Sequence, residues 1–173
     1  MTIEIKAIIE HRLTDLVGLL LIDAGRAFTL HWFDFGSRVL AQTGEKTLIS
    51  QYTVDTEQAW RIAGPDGIIV AVRDRLYPAG EDPYKDLLKF DWDRPGVNRC
   101  DEQMSQFLKE QKNAPLIVQS VEADLWGGLK INLSEGHILE LFPDSSLDSE
   151  RWRLFEPGKK SRHFVVTAQG IES

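Results

Sequence analysis

Twice in this chain a tryptophan is followed by an arginine, in "WRIAGPDGIIVAV" from Trp60 and in "WRLFEPGKKSRHFVV" from Trp152. A guanidinium presents a planar fork of donors that suits carboxylates and other anions. Arg61 and Arg153, with His163 soon after the second pair, are therefore the candidate residues for gripping a ligand. The structural alternative is that Trp60 and Trp152 anchor a core while each arginine ties down a neighbouring strand or acid. Asp91 and Asp93, two apart in "FDWDRPG", could hold a divalent ion, attract a basic protein, or line a solvated turn. Other chemistry finds less support. His11, His31, His137 and His163 lack the paired spacing of a metal site. In "DSSLDSERW" the residues Asp144, Ser146 and Asp148 alternate as in a calcium loop, but Ser149 stands where glycine is required and Phe155 where glutamate is. Glu57 and Glu150 precede the two tryptophans with nothing to show that they face one another. Cys100 has Arg99 beside it but no histidine partner, and neither a nucleophile elbow nor a phosphate-cradling glycine cluster occurs. No catalytic set, metal or cofactor is implied.

The elements that must position these residues come from a wider self-similarity. Ile8, Ile9, Asp15, Leu16, Gly18, Leu20 and Ile22 align without a gap on Ile117, Val118, Asp124, Leu125, Gly127, Leu129 and Ile131. Gly25, Phe28 and Leu30 then fall on Gly136, Leu139 and Leu141, and Trp60, Arg61, Ile62 and Pro65 on Trp152, Arg153, Leu154 and Pro157. In each copy an apolar hairpin turns at Gly25 or Gly136. A strand of period two follows, with Trp inward and Arg outward. After a turn at Pro65 or Pro157, "IIVAV" or "HFVVTA" closes the unit. The first copy carries extra residues around "RVLAQTGEKTLISQYTV", with strand-like flanks about Gly44 that lengthen two strands or add a hairpin.

Between the copies, Asp82 is placed to cap a short helix with Pro83 at its first position and Leu87, Leu88 and Phe90 buried. "DEQMSQFLKEQKN" puts Met104, Phe107 and Leu108 on one face of a second helix, with acids at its start. The predicted class is α+β, mostly β. A single domain over residues 1–173 would hold two antiparallel units, about 5–74 and 114–172, related by pseudo-two-fold symmetry. A helical linker, 75–113, would join them, and Trp60 would superpose on Trp152.

With 173 residues and 42% hydrophobic content, the chain can bury one ordinary core. Twenty basic against 27 acidic side chains give a net charge of −7. That charge disfavours nucleic acid and anionic membranes and favours a basic protein partner. "MTIEIKAIIEHR" lacks the uninterrupted apolar core of a signal peptide, and the longest apolar run, "LVGLLLI", is too short to span a bilayer. Cys100 is the single cysteine, which suits a reducing compartment. A soluble, cytoplasmic protein is expected.

The stretch "LELFPDSSLDSERWRLFEPGKKSRHFVVTAQGIE", residues 139–172, resembles the end of small uncharacterised bacterial proteins in which a Leu-x-Leu-Phe strand leads to Trp-Arg-x-x-x-Pro-Gly and His-Phe-Val-Val. Small acidic β-rich proteins of that kind include immunity proteins of bacterial toxin systems. The resemblance thus implies a non-catalytic protein-binding module, with Trp152, Arg153, Pro157, His163 and Phe164 as the matching residues. Two other readings stay open: a small-molecule binder or enzyme with a pocket between the repeats near Arg61, Arg153 and His163, and a structural homodimer.

Overall fold

A computed structural model describes residues 1–41, 47–82, 84 and 89–172. The chain opens with a helix, α1 (Ile3–Leu13), whose Thr2 side chain accepts the Ile5 amide as N-cap. Ile9, Leu13 and, in the 3₁₀ turn that follows, Leu16 lie on one face and are fully buried. The first two pairs of the internal alignment therefore join unlike structures. Ile8 and Ile9 are helical, whereas Val118, the partner of Ile9, opens a strand. Helical spacing of Ile9, Leu13 and Leu16 outweighs the local alternation of "TIEIKAII" because only the helix carries all three into the core.

Strands β1 (Leu21–Ala27) and β2 (Leu30–Phe35) form the first hairpin. Its turn falls at Phe28-Thr29, with Phe28 at φ 54°, and not at Gly25. Gly25 serves another purpose. It pairs with Trp32 across the hairpin, and a Cβ on it would stand 2.5 Å from the indole Cζ2. Two short strands, β3 (Val39–Leu40) and β4 (Leu48–Ile49), then pair with each other, and β5 (Tyr52–Thr56) returns beside β2. The extra residues of the first half thus add a small hairpin and a strand; Gly44 lies outside the described residues. The Trp-Arg strand β6 (Ala59–Gly64) turns at Pro65 into β7 (Gly67–Ala71).

A 3₁₀ segment, Val72–Leu76, leads out of β7. Asp82 does accept the Tyr84 amide, at 3.0 Å, but Pro83, Leu87 and Leu88 of the expected short helix lie outside the described residues. Helix α2 (Arg99–Gln111) is capped by Asn98 and buries Met104 and Phe107, with Leu108 packed against the core. The second half supplies β8 (Val118–Ala123), β9 (Leu129–Leu133), β10 (Ile138–Phe142), β11 (Glu150–Phe155), β12 (Phe164–Thr167) and β13 (Ile171–Glu172). Its hairpin does turn at Gly136, where Glu135 and Gly136 both take positive φ.

Two antiparallel sheets result, in the orders β1-β2-β5-β11-β12-β13 and β7-β6-β10-β9-β8. The protein is α+β and mostly β. Each Trp-Arg strand lies in the sheet that holds the other half's hairpin: β6 pairs with β10, and β11 joins β2 through β5. Trp60 and Trp152, each 1% exposed, therefore sit in different sheets and face a common core. The Trp60 ring meets Phe33 of the opposite sheet edge-on at 5.1 Å. Trp152 Nε1 donates across to the carbonyl of Gly127, at 2.9 Å, in the β8–β9 loop. α2 packs against the two edge strands β1 and β7, and α1 against β8. No helix of the described residues is long and apolar enough to cross a membrane.

Candidate functional site

Because Trp60 and Trp152 point inward from different sheets, the period of two turns Arg61 and Arg153 outward on different faces. They do not converge on one pocket. Arg61 donates from Nε to Glu140 at 2.6 Å, and its guanidinium lies over the Phe142 ring at 4.9 Å. Arg153 makes a bidentate pair with Glu150, at 2.6 and 2.5 Å. His163 is exposed and stacks on Phe155 with ring centres 4.3 Å apart. Pro65 is exposed at the β6–β7 turn. Asp91 accepts the Asp93 amide in a local turn, whereas Asp93 faces inward to Arg26.

The Arg26 side chain is only 6% exposed, and it donates to both carboxylate oxygens of Asp101 at 2.7 and 3.0 Å, to Asp93 at 3.3 Å, and to the carbonyls of Trp92 and Asp93. The hydrogen bonds that Asp101 accepts hold the guanidinium pKa above its ordinary value. Asp93 and Asp101 thus fasten the segment to β1, whereas Asp91 stays exposed.

What the structure does assemble is a groove of about 330 Å³ on the outer face of the six-stranded sheet, beneath the β3–β4 hairpin. Trp32 from β2, Phe155 from β11 and Pro157 wall it with rings, and Leu48 and Ile49 of the hairpin supply an aliphatic side. Two carboxylates line it. Asp34 is 9% exposed and fully engaged: Oδ1 accepts from Thr53 at 2.6 Å and from Ser50 at 3.0 Å, and Oδ2 from Arg38 at 3.3 Å. Arg38 also bridges to Asp23, so Asp34 and Arg38 clamp both ends of the β3–β4 excursion to the sheet. The Gln51 side-chain carbonyl holds the stem by accepting the Ser37 amide at 2.8 Å. On the far side, Gly158 at φ 74° fits closely under Ile49, whose Cδ1 would lie 2.7 Å from an added Cβ.

Asp55 differs from Asp34. It is half-buried, opposite Trp32 and Arg153 in the strand register, and takes no hydrogen bond or ion pair among the described residues. Burial pushes its pKa up to about 6; Arg153 opposes the rise, and Asp34 and Glu150 add to it. At neutral pH an ionised carboxylate therefore stands between aromatic walls, with Arg153, opposite it in the register, committed by hydrogen bonds to Glu150. A guanidinium or ammonium group fits such a place, since it would satisfy the charge and lie against ring faces.

Hydrolytic chemistry has no comparable foothold. Cys100 is 3% exposed and burial pushes its thiol up to about 12, so it is not a nucleophile at neutral pH. Glu57 accepts from the Thr29 hydroxyl and Glu150 holds Arg153. No three His, Cys, Asp or Glu side chains among the described residues gather as metal ligands.

Of the residues expected from sequence, only Pro157 lines the groove, with Arg153 and His163 next to its wall residues Asp55 and Phe155. Trp32, Asp34, Arg38, Asp55 and Phe155 were not foreseen. Their signal was an acid at alternate positions inside apolar strands, Trp32-x-Asp34 and Thr53-x-Asp55, where a solvated aspartate has no reason to be. Comparison with protein-family models, with curated proteins and with solved structures found no match, so the functional reading rests on this geometry.

Proposed function

We propose that this protein is a non-catalytic module that binds a basic protein partner, as a toxin-immunity protein does, and that the groove under β3–β4 is its contact site. The observation that carries the reading is the unpaired Asp55 carboxylate between Trp32 and Phe155. A partner's arginine or lysine would insert there, and the net charge of −7 would steer it in. The exposed Leu40 and Leu48 of the small hairpin, 65% and 58% accessible, would extend the contact with apolar surface.

We infer further that the two halves descend from one unit. Each has a hairpin, a Trp-Arg strand and a closing strand, and each Trp-Arg strand lies in the sheet that holds the other half's hairpin, an exchange that supports a pseudo-two-fold relation. The segment from Arg38 to Asp55 occurs only in the first half. Arg38, Ser50, Thr53 and Asp55 of that segment provide most of the groove's polar lining.

The test is capture of the partner from cells that make the protein, followed by stopped-flow association of the purified pair. Association should slow steeply as salt screens charge over about 8 Å, and Asp55→Asn should raise the dissociation rate. A partner whose binding ignores both salt and Asp55→Asn would remove this reading.

A further inference from the structure

A second cavity, of about 260 Å³, lies between α2 and β1, on the inner side of the six-stranded sheet and apart from the groove. Ala24, Met104 and Leu108 make its lining largely apolar, and the charges in the lining, Arg26 and Asp101, already neutralise each other. Two rings of this lining, His31 and Trp60, meet edge to face at 5.0 Å. They are 2% and 1% exposed, and each has a nitrogen, His31 Nε2 and Trp60 Nε1, with no hydrogen-bond partner among the described residues. Buried polar atoms in folded proteins are nearly always satisfied, so this pair calls for a partner.

The polarity of that partner follows from the two rings. His31 Nδ1 lies 3.0 Å from the Thr29 carbonyl, which can only accept, so Nδ1 carries the hydrogen and Nε2 the lone pair. Burial lowers the His31 pKa to about 4, which keeps the ring neutral at pH 7. Trp60 Nε1 can only donate. His31 and Trp60 thus bring one unpaired acceptor and one unpaired donor, both covered by their neighbours, to the cavity's lining, the complement of a hydroxyl group. A charged ligand would lose its hydration and find no free counter-charge.

We propose that this cavity binds a small neutral molecule, apolar over most of its surface, whose hydroxyl donates to His31 Nε2 and accepts from Trp60 Nε1. An apolar cavity of about 150 Å³ holds benzene; the larger volume here suits a two-ring phenol or an alcohol of similar bulk.

The probe is 2-naphthol, titrated into the isotopically labelled full chain while the Trp60 indole N–H resonance, assigned by Trp60→Phe, is followed. A saturable shift of that resonance is expected. 2-Methoxynaphthalene, which cannot donate, should bind about tenfold more weakly. Leu108→Trp, which fills the cavity from the helix, should abolish binding, as should Ser105→Phe, introduced at an exposed position on the same wall. Asp55→Asn, altered only in the groove, should bind 2-naphthol as the wild type does. The proposal is overturned if 2-naphthol leaves the Trp60 resonance unmoved, if the methoxy compound binds equally well, or if both filled variants still bind.

Discussion

Replacing Asp55 with asparagine should make the protein more stable at neutral pH while weakening its hold on a basic partner. The carboxyl pKa rises from 3.8 in the unfolded chain to about 6 in the fold, chiefly through burial. The folded state therefore holds the proton more tightly, and the wild type loses stability as pH climbs from about 4 to about 6. A rise of about two pKa steps corresponds to about 3 kcal/mol if taken whole. Asp55 is only half-buried, and solvent screening reduces this to about 1 kcal/mol. For a chain of this size that is a gain of about 2–4 °C in melting temperature. Scanning calorimetry of wild type and Asp55→Asn from pH 3.5 to 8 is the assay. The curves should coincide below pH 4 and separate above pH 6, with the variant higher. A variant that melts lower at pH 7, or a difference that does not change with pH, would refute an unpaired, partly desolvated carboxylate at this position.

Four other substitutions or titrations probe the framework. Arg26→Met should cost about 3–5 kcal/mol in denaturant unfolding, because Asp101 and Asp93 would be left beside an apolar side chain; Asp93→Lys, which sets a second cation beside the buried Arg26, should lower the melting temperature. Gly25→Ala should displace the Trp32 ring, since the new Cβ would stand 2.5 Å from it, and should weaken partner binding with β1 still paired; unchanged Trp32 fluorescence and binding would show that the contact is not needed. His31, buried and neutral, has its pKa lowered from 6.5 to about 4, so the stability it provides is complete above pH 6.5 and lost as pH falls towards 4. Its ring proton resonance should titrate near pH 4, and a midpoint near 6.5 would contradict the burial.

Local pattern was enough to specify several elements. The period of two in "AWRIA" and "RWRLF" set which side chains face the core, and Trp60, Ile62, Trp152 and Leu154 are all buried. The apolar spacing of Met104, Phe107 and Leu108, with acids in the first turn, specified α2, and the structure added Asn98 as its cap. The turn at Gly136 was legible because the chain needs positive φ there. Gly25 carried the same local signal and meant something else, for its missing side chain makes room for Trp32 on the next strand. That distinction depends on register across the hairpin, which no single strand encodes. In the same way, Arg26, Asp93 and Asp101 read as separate surface charges until the fold brings them into one buried cluster. The groove depends on β2, β5 and β11 lying side by side, strands from both halves whose order is chosen by long-range pairing. Residue types decided which faces would be buried, and only the tertiary pairing decided that Asp34 would find its donors while the Asp55 carboxylate has none among the described residues.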